Sequence, residues 1–550
     1  MSRTAPAPVR GWPVEVAARY RELGYWTEET FPAFVEERTA RFRERLAVVG
    51  RDAHGTPQRW TYAELGAHAR AAAATFAGLG VHAGDRVVVA LPNIVDYLQV
   101  VLGLFRLGAL PVFALPTHRE LELTQFCTLA DAAALVLAPG NDTDPTALHG
   151  TVASAVRERG CEPPVLVDVS TWSVDADGAP PKPTPSAADI AFLQLSGGTT
   201  GVAKLIPRTH ADYLYSVRAS GEICDLDERT VQLVVLPAAH NFAMSSPGIL
   251  GVLHVGGTVV LAHDPSPRTA FELIAAERVT DAALVPPLAQ AWVSAARRRH
   301  PDLGSLQVVQ VGGARLADSV APEIEAVLGV RLQQVFGMAE GLVNYTRADD
   351  PDEIVHTTQG RPISPDDEIR IVDADDREVP DGQEGALLTR GPYTIRGYYR
   401  APRADTESFT EDGFYRTGDL VRRLPSGHLI VTGRDKDQIN RAGEKVAVDE
   451  LEGLALLHPA VLDAVAVGAP DPYLGERVVL VVRAEPGRPD PDDLPAFLRS
   501  AGLAPYKIPD QVVVVDELPA THVGKNSRRE LRRQLAASVP ENVPEWKASP

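Results

Sequence analysis

The sequence predicts an α/β protein: layered α/β segments first, then a β-rich stretch, then a small α+β block. Three observations carry this. Between Tyr62 and Leu115, helix-type and strand-type patterns alternate at the spacing of α/β layering around a parallel sheet. Downstream strands are short continuous apolar runs, as in a sheet covered on both faces. The composition, 45% hydrophobic and 23% charged, is that of an ordinary globular chain rather than a disordered one.

In order, Ala63–Gly78 reads as an Ala-rich helix and Arg86–Leu91 as a short apolar strand. Ile94–Leu107 is an amphipathic helix, and Leu110–Ala114 a second strand. Further strands are expected at Ala132–Leu137, Gln232–Leu236, Thr258–Leu261, Ala282–Val285 and Leu306–Val311. Residues 173–187, rich in Pro and Asp, read as a surface loop. From about Glu368 the texture becomes β-rich: Ile369–Val372, Gly385–Thr389 and Gly427–Thr432 are separated by Asp-Gly and Ser-Gly turns. After Arg434 comes a compact α+β block ending near Leu535, with a loose tail. The expected division is residues 1–433 as a large N-terminal domain, 434–436 as a hinge, and 437–550 as a small mobile C-terminal domain.

The 550 residues carry 54 Lys+Arg against 73 Asp+Glu, a net charge of −19. A general nucleic-acid binder needs a basic face, so no nucleic-acid partner is expected. The most apolar stretch, Val100–Pro116, is interrupted by Arg106 and two prolines and is too short to span a bilayer. The N-terminus lacks a signal-peptide core, and three cysteines (Cys127, Cys161, Cys224) have no metal-ligand spacing and make no disulfide framework. A cytoplasmic protein without membrane attachment is expected. Only seven of the basic residues are lysines. Five of them fall in Gly-containing or Pro-flanked segments, where a compact ammonium would serve better than a planar guanidinium.

The strongest local signal is Ser196-Gly197-Gly198-Thr199-Thr200-Gly201-Val202-Ala203-Lys204, after the apolar strand Ile190–Leu195. Glycines let the backbone approach an anion, hydroxyls and amides donate to its oxygens, and a lysine adds charge. The loop suits a triphosphate. It is not a P-loop, which needs Gly directly before Lys and Ser/Thr directly after; here the neighbours are Ala203 and Leu205.

Val335–Glu340 (VFGMAE), Tyr415–Asp419 (YRTGD), Gly433–Asp437 (GRDKD) and Gly524-Lys525 follow in order. This arrangement resembles the adenylate-forming superfamily of acyl-CoA synthetases, luciferases and peptide-synthetase adenylation domains, over about Trp26 to Leu535. The segments Lys204–His210 (KLIPRTH), His240–Gly248 (HNFAMSSPG), Gly337–Arg347 (GMAEGLVNYTR), Thr389–Tyr399 (TRGPYTIRGYY) and Asp437–Lys445 (DQINRAGEK) narrow it. They are similar to the stand-alone aryl-acid adenylating enzymes of siderophore and peptide-antibiotic assembly, the 2,3-dihydroxybenzoate–AMP and salicylate–AMP ligases.

The resemblance implies ATP and Mg²⁺ as cofactors, an aryl acid as substrate, and a phosphopantetheinylated aryl carrier protein as acceptor. It places the Ser196–Lys204 loop on the ATP phosphates and Gly312, Gly313 and Ala314 along the adenine. Glu340 matches the magnesium-linked acid, Asp419 the carboxylate on the ribose hydroxyls, and Arg434 the arginine beside the ribose. Lys525 matches the catalytic lysine, Lys436 the hinge, and Ala442, Gly443 and Lys445 the loop used in thioester formation. His240 falls where an aromatic group gates the pocket when the thiol enters. No external base is required there, since a carboxylate nucleophile is already ionised near pH 7.

Acid specificity, by the same resemblance, falls on Asn241, Phe242, Ser246, Val335, Gly337 and Val343. Asn241 is the residue that meets a 2-hydroxyl. Ser246 leans toward 2,3-dihydroxybenzoate, whereas Phe242, in place of the commoner tyrosine, leans toward salicylate. Ala442 stands where the family usually has glycine. Two other functions share part of these signals: an aryl-CoA ligase, with the same first step, and a catalytically silent nucleotide-binding protein.

Overall fold

A computed structural model describes residues 10–140, 144–172, 183–196, 203–434, 438–471, 473–484, 491–515, 518 and 531. The chain divides into two compact units, with the boundary at Lys436/Asp437.

In the first unit the strands sort into three sheets rather than one. A six-stranded sheet runs Val165–Asp168, Ala134–Leu137, Arg86–Ala90, Leu110–Phe113, Ile190–Ser196, Lys204–Thr209. It is parallel except for the last pair. A nine-stranded sheet holds Arg361–Pro362, Val343–Tyr345, Arg331–Gly337, Val308–Val311, Asp281–Leu284, Val231–Val234, Thr258–Leu261, Leu46–Arg51 and Pro57–Thr61 in that order. Its middle is parallel and its edges antiparallel. The β-rich stretch is a four-stranded antiparallel sheet of Glu368–Val372, Gly385–Arg390, Tyr415–Arg423 and Leu429–Arg434.

The local chemistry explains the elements. Arg86–Ala90 is buried along its whole length, as a strand covered on both faces must be. The helix Tyr62–Gly78 starts at a capping box: Thr61 accepts from the Glu64 amide, and Glu64 accepts from the Thr61 amide at 2.7 Å. Its alanines have a packing reason. A Cβ on Gly103 of the helix Val95–Leu107 would lie 2.5 Å from the Ala72 Cβ, so the two helices meet where both side chains are minimal. The second helix ends at Gly108 with φ +76°, a left-handed cap suited to glycine.

The strands Leu46–Arg51 and Pro57–Thr61 were not anticipated from the sequence. They join the nine-stranded sheet through Val48 and Val49 against Val259 and Val260, partners more than 200 residues away.

In the second unit, the strands Glu444–Ala447, Gln438–Arg441, Gly475–Ala484 and Val461–Asp471 form a sheet, with Gln511–Val515 pairing parallel to Gly475–Ala484. The lysine pattern needs correction. Lys204 and Lys445 lie on strands, and the buried Lys507 ammonium pairs with Glu450 at 2.7 Å. Scarcity of lysine does not by itself mark a binding loop. Among the described residues no helix is long and apolar enough to cross a membrane.

Candidate active site

Ligands of open α/β sheets bind beyond the carboxyl ends of the strands. In the nine-stranded sheet those ends carry most of the expected residues. Val231–Val234 leads to His240–Ser246, Val308–Val311 to Gly312–Ala314, and Arg331–Gly337 to Glu340.

Gly312 is where these segments converge. Its amide donates to the Leu284 carbonyl at 3.0 Å. A Cβ there would lie 2.8 Å from the Val335 carbonyl oxygen and 3.1 Å from Phe242 Cε1, so only glycine leaves the backbone, the aromatic ring and the valine in register. Gly313 follows with φ +82°. Val335 pairs directly with Tyr345, and Gly337 with Val343, so Val335, Gly337, Val343 and Tyr345 share one sheet face. Val343 is anchored from behind: its amide donates to the Tyr393 hydroxyl at 3.0 Å, which donates to Asp367 at 2.7 Å.

Asn241 and Phe242 open the short helix Asn241–Ser245, with Ser246 as its C-cap. His240 is the N-cap, its Nδ1 accepting from the Phe242 amide at 3.2 Å. That use of Nδ1 leaves His240 a structural task whatever else the ring does. Tyr213 donates to Asn241 Oδ1 at 2.8 Å. The Tyr345 hydroxyl is fully buried beside Ser220 and Ser246 without a well-formed hydrogen bond. Burial holds that phenol well above its ordinary range, so it stays protonated.

The residues expected on the nucleotide form a second group. Ser196 and Lys204 are paired residues at the end of an antiparallel hairpin, so the Gly/Thr loop joins two strands, unlike the strand-to-helix turn of a P-loop. Gly197, Gly198, Thr199, Thr200 and Gly201 lie outside the described residues. Lys204 Nζ sits 4.7 Å from the centre of the Tyr398 ring and 3.4 Å from Ser408 Oγ. The Tyr398 hydroxyl donates to Glu340 Oε1 at 3.1 Å and lies 3.2 Å from that of Tyr415. Burial, and next the Glu340 charge, push the Tyr398 phenol far up. Glu340 itself is 4% exposed, and Asp419 is 2% exposed. Asp419 pairs in register with Arg434 on the next strand, which puts the two backbones side by side. The Arg434 side chain, Lys436 and Lys525 lie outside the described residues.

Arg208 links the two groups. Its guanidinium donates to the Ala339 carbonyl at 2.7 Å, the Tyr393 carbonyl at 2.9 Å and Asp212 at 3.0 Å, and it stacks 4.8 Å from the Tyr213 ring. His210 is structural: its Nδ1 accepts from the Phe31 amide at 3.0 Å, and burial lowers its pKa to about 4, keeping the ring neutral. In the second unit, Ala442 and Gly443 form the turn between Gln438–Arg441 and Glu444–Ala447, with φ of +52° and +90°. Two left-handed residues suit a tight hairpin, but alanine bears a steric cost there that glycine does not. Lys445 lies on the strand just after the turn.

Residues 35–399 match the model of the AMP-binding enzyme family, and residues 450–525 that of the AMP-binding enzyme C-terminal domain. The chain belongs to the AMP-binding enzymes. It is 51% identical to the 2,3-dihydroxybenzoate-AMP ligase of Bacillus subtilis over 96% of this chain and 98% of that one. A Streptomyces protein described as a salicylyl-CoA synthase / salicylate adenylyltransferase is 47% identical, over 95% and 96%. The apo structure of MbtA from Mycobacterium smegmatis superposes with a TM-score of 0.73 at 44% identity, covering 96% of this chain and 99% of that one. These relatives make this chain an adenylating ligase, and its family uses ATP.

The tyrosines were the residues missed in sequence. Tyr213, Tyr393 and Tyr398 lie 28, 50 and 58 positions from their partners Asn241, Val343 and Glu340, with no shared motif to connect them.

Proposed function

We propose that the enzyme activates an aryl acid with an ortho hydroxyl to its adenylate, releasing pyrophosphate, and then transfers the aryl group to the phosphopantetheine thiol of a carrier protein. The observation that carries this reading is the apolar surface at Gly312, where Phe242 and Val335 meet the glycine and Val343 shares the sheet face of Val335, with the Asn241 carboxamide on the residue next to Phe242. A planar ring packs on such a face, and a polar group beside it reads one substituent.

The family roles follow residue by residue. The loop from Ser196 to Lys204 would cradle the triphosphate, Gly312, Gly313 and Ala314 the adenine, and Asp419 with Arg434 the ribose. One carboxylate can accept from two hydroxyls, which suits Asp419 for a ribose. Among the described residues no three His, Cys, Asp or Glu side chains gather as a metal cage. A lone buried Glu340 nevertheless fits Mg²⁺, which binds through one or two carboxylates plus substrate phosphates. Bound there, the ion would supply positive charge beside the phosphates. Tyr398 holds the Glu340 carboxylate from one side. Lys525 would meet the acid carboxylate and the α-phosphate, where charge gathers. Lys436 is proposed as the hinge between residues 1–433 and 437–550. The Ala442–Lys445 turn would serve the thiolation step, with His240 as the gate. The three cysteines form no disulfide, which suits a reducing, cytoplasmic setting.

The polar floor beside Ser246, with Tyr345 and Ser220, suits a second ring hydroxyl, so 2,3-dihydroxybenzoate is proposed ahead of salicylate. A second reading, an aryl-CoA ligase, is favoured by the double description of the Streptomyces relative and by a 44% identical protein of Streptomyces carzinostaticus described as a 2-hydroxy-7-methoxy-5-methyl-1-naphthoate–CoA ligase. The test offers the enzyme ATP, 2,3-dihydroxybenzoate and either a phosphopantetheinylated aryl carrier protein or CoA. Loading of the carrier with little CoA thioester is expected. Efficient turnover with CoA and none with the carrier would replace the reading with the second one.

A further inference from the structure

Tyr213 lies on the helix His210–Ile223 and is 1% exposed. Its ring is fixed edge-on to Phe192 at 4.5 Å and beneath the Arg208 guanidinium at 4.8 Å. Burial moves the phenol up to about 12, so it carries its proton at any working pH. That single proton is committed to Asn241 Oδ1 at 2.8 Å. A carboxamide has one acceptor oxygen and one donor NH₂. With the oxygen engaged behind, the group Asn241 presents forward is the donor.

This has a consequence for the substrate. In a 2-hydroxybenzoate the phenolic hydrogen turns inward onto the acid's own carboxylate, which leaves oxygen lone pairs facing outward. In a 2-aminobenzoate one N–H turns inward and the second points outward, while the nitrogen lone pair is drawn into the ring. The first meets an Asn241 donor with an acceptor, and the second meets it with another donor. Two buried donors face to face leave both unpaired, which is costly.

We propose that Tyr213 is a specificity-determining positioning residue: by donating to Asn241 Oδ1 it fixes the carboxamide with its NH₂ toward the acid, so that the pocket takes aryl acids with an ortho oxygen and rejects those with an ortho amine. The inference rests on the reading that Asn241 faces the acid, and adds to it the polarity of that contact and its cause.

The experiment measures kcat/KM for ATP–pyrophosphate exchange with salicylate and with 2-aminobenzoate, in the full chain, in Tyr213→Phe and in Asn241→Asp. The unaltered enzyme favours salicylate. In Tyr213→Phe the carboxamide is free to turn, and the salicylate preference falls by about tenfold or more, the value of one buried hydrogen bond, with the KM for ATP within about twofold. Loss of packing alone would lower both acids together and leave the ratio in place. Asn241→Asp presents only acceptors, so its preference shifts toward 2-aminobenzoate; this variant keeps the test alive if Tyr213→Phe fails to fold. A folded Tyr213→Phe with an unchanged ratio overturns the role of Tyr213. An Asn241→Asp whose ratio is unchanged overturns the donor polarity. Absence of exchange with salicylate and 2,3-dihydroxybenzoate in the unaltered enzyme overturns the acid reading beneath both.

Discussion

The proposed acid side and the proposed nucleotide side of the site are built on opposite principles. The acid side is defined by exclusion: a missing Cβ at Gly312, an aromatic edge from Phe242, two valines on a sheet face, and one oriented amide. Its partners are held by the sheet packing that makes the core. The nucleotide side is defined by charge. Lys204, Glu340 and Asp419 are placed by phenols and strand register. The first kind of site discriminates by what fits, and the second binds a group common to many substrates. A ligase that changes its acid while keeping its nucleotide would be altered on the first side only.

If the comparison holds, each side fails in its own way. The largest effect is expected for Gly312→Ala. The new methyl has the Val335 carbonyl 2.8 Å away and no flexible atom to displace. Misplacing reacting groups by an ångström costs about a hundredfold in rate, and steady-state exchange should show this as a loss in kcat/KM for the acid. Glu340→Gln should instead reduce kcat about 10²-fold, the usual range for removing one preorganised electrostatic partner, with the KM for the acid little changed. Equal effects of both variants on the acid KM would erase the distinction.

A third test exploits the anchor behind Val343. Burial raises the Asp367 pKa from 3.8 to about 7, and one of its carboxyl oxygens is buried without a partner, as suits a protonated acid. Because the folded-state value is raised, the folded form holds a proton that the unfolded form has released. Its contribution is full below about pH 4 and is lost as pH rises through about 7. Denaturant melts should show stability falling across that window by on the order of a few kcal/mol, and Asp367→Asn should flatten the slope by one proton. No change of slope in that variant would mean the carboxyl is ionised throughout.

The smallest effect concerns the second unit. Ala442 has φ +52°, so Ala442→Gly should stabilise the turn by about 1 kcal/mol in thermal or chemical melts. Destabilisation there would show that the methyl is packed rather than strained.

What could be read in the sequence follows the same division. Strands such as Thr258–Leu261 and Gly385–Arg390 were legible because burial on both faces, or tight Gly turns, leaves a local signature. The charged residues were legible as ordered motifs. The partners that aim them were not: Tyr398 reaches Glu340 across 58 positions, and Arg208 reaches Tyr393 across 185, contacts that exist only after three sheets have assembled. The strand Leu46–Arg51 was missed for the same reason, since its partner is the distant Thr258–Leu261. Sequence named the charges, and the fold supplied the tyrosines and arginine that orient them.

The central claim is that the Asn241 amide reads an ortho hydroxyl. It is tested most directly by ATP–pyrophosphate exchange with benzoate, salicylate and 2,3-dihydroxybenzoate compared at equal concentration. Exchange with the two hydroxylated acids, and with benzoate slower by about tenfold or more, is the predicted result, because a site built to pair a hydroxyl is left unpaired without it. Benzoate exchanging as fast as salicylate would contradict the account.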